Sequence, residues 1–331
     1  MPRVLILHTG GTLGMTGDPS HGEPLTPGDY SNHLLEQVPE LGDIADVDSR
    51  VVCNLDSSDI GPVHWKDLAT TVAREYRKFD GFVIIHGTDT MSYSASALTF
   101  ALEGLSKPVI FTGAQRPLAA IRTDARRNLL DAVELAPRDI PEVGVCFDGL
   151  LLRGCRSTKS NAHDYRAFDS PGCEPLARLG VDIQISQHLR WPGMPFRCDA
   201  RFDPHVLSVQ LTPGFQAGLL KSILRAESSL KGIVLSVFGV GTVPTLDSKL
   251  SDVLCEANER GVVVVATTPS SGRIDFGQYL NSRPLLDAQV IPGGSMQMEA
   301  ATTKLMHALA VSSSEEELRM YMEWNVAGEL A

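Results

Sequence analysis

Short apolar runs, punctuated by glycine, proline and polar clusters, set the pattern of this chain. Val4-Leu5-Ile6-Leu7, Phe82-Val83-Ile84-Ile85 and Val262-Val263-Val264-Val265 are apolar at every position. At that length, the pattern is that of strands buried on both faces, as in the middle of a parallel sheet. Val51–Leu55, Val109–Phe111 and Val143–Phe147 extend the set, and Asp148-Gly149 before Leu150-Leu151-Leu152 predicts a hairpin. Between the strands, helices are expected over Ser31–Val38, Trp65–Phe79, Tyr93–Leu105 and Ile121–Leu135. Alternation of this kind implies right-handed βαβ crossovers and a mostly parallel sheet. The pattern fades between Ser186 and Pro204, where Trp191-Pro192-Gly193-Met194-Pro195 and three arginines replace it. It resumes with strands near Val206–Val209, Gly232–Val237 and Val262–Val265, and with helices near Gln216–Ala226, Lys249–Arg260, Met296–Leu309 and from Ser313. Two α/β domains are therefore expected: a larger one over 1–187 with a mostly parallel open sheet, a linker over 188–205, and a smaller parallel one over 206–331.

Composition narrows the function. At 331 residues, 43% hydrophobic and 21% charged, the chain has the make-up of a soluble globular protein with room for two cores. A formal charge of -11 argues against binding nucleic acid or an anionic lipid surface, but leaves a small anionic substrate open. No apolar segment approaches a membrane span, and the run after Arg3 ends at His8, short of a signal peptide. Six scattered cysteines without a C-x-x-C pair suggest free thiols, and hence a cytoplasmic protein. Nine histidines without ligand spacing give no support for a metal, and no cofactor is expected.

The chemistry gathers where strands end. In an open parallel sheet of Rossmann or flavodoxin-like type, ligands bind beyond the carboxyl ends of the strands. One such end carries Thr9-Gly10-Gly11-Thr12, another His86-Gly87-Thr88-Asp89-Thr90, a third Asp56-Ser57-Ser58. Hydroxyls, carboxylates and glycine-turn N–H groups together suit acyl transfer: a nucleophile, a proton relay and oxyanion donors. A neutral threonine needs a base. Asp89 with a lysine from elsewhere would supply one, since a lysine shielded from water holds its proton less firmly.

These residues resemble the L-asparaginase/glutaminase family. Thr9-Gly10-Gly11-Thr12, Asp56-Ser57-Ser58-Asp59, His86-Gly87-Thr88-Asp89-Thr90-Met91, Thr112-Gly113-Ala114-Gln115, Arg156-Ser157-Thr158-Lys159 and Gly239-Val240-Gly241 follow in order along the chain, in the style of the cytoplasmic bacterial type I branch. The resemblance implies an amidohydrolase that splits L-asparagine into L-aspartate and ammonia through an acyl-threonine, with L-glutamine left open as a second substrate. By position it implies Thr12 as nucleophile, Thr88 with Asp89 and Lys159 as relay, and Gly11, Asp56, Ser57, Ser58, Thr88 and Asp89 as substrate contacts. It also implies a homo-oligomer, a dimer or a dimer of dimers. Three positions depart from the family pattern. Leu13 stands where Ile or Val is usual. The lid tyrosine of the family falls at Glu23 or Pro24, so either Tyr30 reaches in or another group orients Thr12. Ser236 occupies the place of an arginine tied to allosteric asparagine, which puts such regulation in doubt.

Plainer readings compete at single positions. Asp56 would cap the helix after Pro62, Ser57 and Ser58 would form a turn, Asp124 would serve structure, and His86 would support its own turn. Among other functions, the catalytic subunit of a tRNA-dependent amidotransferase shares the motifs but usually carries an extra N-terminal domain. A nucleotide binder is disfavoured because Gly10-Gly11-Thr12-Leu13-Gly14 matches neither phosphate-loop pattern. An amino-acid sensor of the same fold without catalysis stays open.

Overall fold

The computed structural model describes residues 1–16, 26–27, 34–246 and 249–330. The chain forms two compact units, Met1–Ala200 and Arg201–Ala331. Its architecture is mixed α/β, with a large mostly parallel sheet in the first unit and a separate parallel sheet in the second.

The longer strands of the first unit are β1 (Arg3–Gly10), β2 (Asp46–Leu55), β3 (Gly81–Ile85), β4 (Val109–Thr112), β5 (Val143–Phe147), β6 (Leu150–Arg153), β7 (Ala177–Leu179) and β8 (Ile183–Ile185). They lie side by side in the order β8-β7-β6-β5-β4-β3-β1-β2. β1 pairs in parallel with β2 and β3, and the parallel pairing continues through β4 to β5. The chain thus leaves β1 to one side for β2 and returns to the other side for β3. That reversal opens a crevice between the loops after β1 and β3, the place where such sheets hold ligands.

Helices α1 (Pro62–Glu75), α2 (Met91–Ala101) and α3 (Ala125–Leu135) cover the sheet. Val4 and Ile6 pack with Val83, Ile85, Ile110, Leu129 and Val133 on one face. Alternation sends Leu5, Leu7, Phe82 and Ile84 to the other, all at 0% exposure. Burying one such side chain stabilises the fold by roughly 1.5–3 kcal/mol, and β1 has four.

Element types follow the sequence pattern; several ends do not. The helix expected from Ile121 starts only at Ala125, because Thr123 and Asp124 turn their side chains onto backbone N–H groups. The helix expected to reach Leu105 stops at Ala101, where Leu102–Glu103 pairs with Arg197–Cys198 and Gly104 takes φ 67°. Arg197 and Cys198, in the stretch read as a linker, thus lie within the first unit. Strand β2 begins at Asp46, five residues before its apolar part. Its outer charges, Asp46, Asp48 and Arg50, suit an edge strand. Asp148 and Gly149, at φ 48° and 73°, form the tight β5–β6 turn.

In the second unit β9 (Val206–Gln210), β10 (Gly232–Ser236), β11 (Val263–Thr267) and β12 (Ile291–Pro292) pair in that order, all parallel. Helices α4 (Ala217–Ala226), α5 (Leu250–Glu259), α6 (Met298–Val311) and α7 (Glu315–Glu323) accompany them. Lys304 on α6 and Glu329 form an ion pair at 0% exposure. Lys304 also donates to the carbonyls of Met322 and Trp324, while Glu329 accepts from the N–H groups of Val326 and Ala327, so the buried charges are hydrogen-bonded. Among the described residues no helix is long and apolar enough to cross a membrane.

Candidate active site

Glycine brings three strand-end loops into backbone contact. Gly10 and Gly11 follow β1 in the left-handed region, at φ 102° and 89°. A Cβ on Gly10 would lie 2.3 Å from the Leu55 carbonyl oxygen at the end of β2, and one on Gly11 2.4 Å from the Gly87 nitrogen after β3. A Cβ on Gly87 would in turn lie 2.7 Å from Ser57 Oγ. No side chain fits at these contacts, so the loops carrying Thr12, Ser57 and Thr88 interlock. Thr9, the other hydroxyl of the first loop, is buried and donates to the Ile85 carbonyl at 2.9 Å, which welds β1 to β3. Thr12 itself opens a single 3-10 turn, Thr12–Gly14, anchored by the buried Leu13.

Across the crevice Lys159 Nζ donates to Thr88 Oγ1 and to Asp89 Oδ1, both at 2.7 Å. The lysine comes from the two-residue strand Thr158–Lys159, which pairs with Phe168–Asp169. Its side chain is 16% exposed, that of Asp89 68%. A nearly buried ammonium thus meets a carboxylate that faces water. Thr90 Oγ1 donates to the Ser57 carbonyl at 2.6 Å and ties the second loop to the third.

Asp56 accepts from the Ser58 N–H at 2.9 Å and from Ser58 Oγ at 2.7 Å, and these bonds hold its carboxyl below the usual carboxylate range. It caps the turn Ser57–Asp59; the helix after Pro62 starts instead from Gly61, with His64 on the Gly61 N–H. Ser57 is buried beneath this turn.

His86 is a support for the loop. Its Nδ1 lies 2.7 Å from the Gly87 carbonyl, which can only accept, so Nδ1 carries the proton. Nε2 then accepts from Ser94 Oγ at 2.8 Å, and Ser94 accepts from Trp65 Nε1 at 2.9 Å. Burial pushes the imidazole down to about 4, so it is neutral at pH 7.

Gln115 was not among the sequence-predicted site residues. Thr88 Oγ1 donates to Gln115 Oε1 at 3.3 Å. The signal was present in Thr112-Gly113-Ala114-Gln115, but spacing alone does not say which side chain of that motif reaches Thr88. Gln115 also lines a cleft of about 680 Å³ with Arg116, Arg122, His163 and Tyr165. Asp124, read as structural, accepts from the N–H groups of Gln115 and Arg116 and so fixes this loop. Glu23, Pro24 and Tyr30, the positions weighed for a lid tyrosine, lie outside the described residues. Ser236 is buried at the end of β10.

Known families match both units of the chain. Residues 3–191 match the family model described as asparaginase, N-terminal, and residues 205–322 match the glutaminase/asparaginase C-terminal domain. The chain belongs to the asparaginase family. It is 37% identical over 343 residues to L-asparaginase 1 of Escherichia coli (strain K12), covering 99% of this chain and 97% of that protein. The solved thermostable L-asparaginase from Thermococcus kodakarensis superposes with a TM-score of 0.90 at 33% identity, covering 99% of both chains. A more distant relative, a glutamyl-tRNA(Gln) amidotransferase subunit from Pyrococcus abyssi, is 32% identical over 100% of this chain and 77% of its own length.

Proposed function

We propose that this chain hydrolyses the side-chain amide of L-asparagine to L-aspartate and ammonia, with L-glutamine as a poorer substrate. The observation that carries the reading is Lys159 held on both Thr88 and Asp89, on a loop whose Gly87 packs against Gly11, the residue before Thr12. Thr12 Oγ attacks the amide carbon and forms an ester to the substrate acyl group, and ammonia leaves. Water then attacks the ester and releases L-aspartate. Thr88 and Lys159 relay the protons of both steps. N–H groups of the glycine turns stabilise the oxyanion. The exposed side of the Asp89 carboxylate suits the substrate's ammonium, and the Asp56-Ser57-Ser58 turn offers hydroxyl and N–H groups for its carboxylate. The protein acts as a homodimer or dimer of dimers in the cytoplasm and needs no cofactor.

The test is ammonia release from L-asparagine by the purified chain, without tRNA or a second protein. Thr12→Ala and Thr88→Ala are each expected to lower kcat by roughly 10²–10⁴-fold, the usual worth of a nucleophile's proton machinery. Turnover at the wild-type rate in both variants would refute the reading. The relative named as part of an amidotransferase favours a second reading, in which the amide is consumed only in a tRNA-bound complex. Ammonia release by the isolated chain separates the two. A third outcome, a rise in Tm with asparagine but no ammonia, would mark a sensor.

A further inference from the structure

An amide side chain has one accepting end and one donating end, and Gln115 has no freedom to exchange them. Its Nε2 donates to the carbonyl oxygens of Asp164 at 3.0 Å and Asn161 at 3.5 Å. Turned over, its oxygen would face two carbonyl oxygens. The end presented to Thr88 is therefore Oε1, an acceptor, and the Thr88 hydroxyl spends its single proton on it. Lys159 fills a lone pair of the same hydroxyl as a donor. The chain of donation runs from Lys159 through Thr88 to Gln115. That is opposite to the direction in which Lys159 would draw a proton from Thr88.

We infer that Gln115 is a positioning residue for the reaction proposed above, on which this inference rests: it holds the Thr88 proton away from Lys159 in the resting site. The hydroxyl has to turn from Gln115 to the lysine for the relay to run. Lys159 then gives a proton to the departing nitrogen as ammonia forms and takes the Thr88 proton in its place, while Thr88 takes the proton of the attacking oxygen. A 3.3 Å O–H···O contact is long for such a bond, weak enough to be released in every turnover. The backbone under Gln115 is held separately. The Asp124 carboxylate takes the Gln115 N–H at 2.9 and 3.1 Å and the Arg116 N–H at 3.1 Å. Asp124 stands at the N-cap of α3 yet makes no side-chain cap bond there. A helix start gives up its cap to fix this loop.

Two variants test the inference against wild-type ammonia release, which tests the function itself. Gln115→Met keeps the length and loses both ends of the amide; because the bond that must break is gone, kcat is expected to rise about two- to threefold, the worth of a weak hydrogen bond, with KM within about twofold. Gln115→Glu keeps the acceptor, and when protonated also keeps the donor toward Asp164 and Asn161. Its kcat relative to wild type is expected to be near one at acid pH and to fall as the new carboxyl ionises. A residue that merely braces the loop would lower Tm and leave these kinetics alone. A wild-type or lower kcat in Gln115→Met overturns the inference, as does a Gln115→Glu to wild-type ratio that does not vary with pH. If Gln115→Met does not fold, the pH series of Gln115→Glu decides alone. If the wild type releases no ammonia, it is the function that has failed.

Discussion

Gly11 is where the three loops of the site are locked together. Its φ of 89° and the 2.4 Å that would separate a Cβ there from the Gly87 nitrogen both forbid a larger side chain. Gly11→Ala is expected to cost about 2 kcal/mol or more, from left-handed strain added to the steric clash. Urea unfolding measures the loss, and kcat should fall with it because Thr12 and Thr88 directly follow the two glycines of that contact. At this scale the sequence was readable where a motif is local. Asp56 and Ser58 sit two residues apart and bond directly. Lys159 is a different case: it meets Thr88 across 71 residues, and only the family resemblance paired them. Gln115 escaped because its orientation depends on two backbone carbonyls, of Asn161 and Asp164, which carry no side-chain signature.

Among the elements, strands with four consecutive apolar residues were legible because burial on both faces leaves no polar position. β7 and β8 were not, since each has three residues and is mostly half-buried or exposed. Helix α3 carries its own titration. Asp131 is pushed up to about 6, chiefly by burial, with Arg127 opposing and Glu134 and Asp148 adding to the rise. The native state therefore binds the Asp131 proton more tightly than the unfolded chain does. Stability falls as pH rises from about 4 to 6, then stays level with respect to this group. Asp131→Asn is expected to gain about 1–2 kcal/mol above pH 6 and nothing below pH 4, less than the roughly 3 kcal/mol of the full displacement, because the attraction to Arg127 is lost as well. Unfolding midpoints at pH 4 and pH 7 check this.

For the whole molecule the histidines set the opposite slope. His8 and His86 are both pushed down to about 4 by burial. Their unfolded counterparts take up protons near 6.5, so stability is complete above that pH and is lost as pH falls from 6.5 toward 4. A chemical-denaturation series is expected to show this acid limb, and His8→Leu should make it shallower. An unchanged limb in that variant would assign the loss to other groups. The two-unit architecture was legible in the return of the strand–helix alternation after Pro204. Arg197–Cys198, in the stretch read as a linker, pairs with Leu102–Glu103 from nearly a hundred positions earlier, and pairing of that kind leaves no local pattern.

The place of β1 between β2 and β3 has a consequence for how the chain is made. The opening strand is a central one, and its two partners end at Leu55 and Ile85. During synthesis Val4 to Leu7 must wait until some eighty residues have emerged before both edges are paired. In that interval it is an apolar segment with open backbone on either side, the kind that nascent-chain chaperones and neighbouring nascent chains compete to bind. Late emergence of β3 thus leaves the segment that leads into Thr12 open to misassembly at birth.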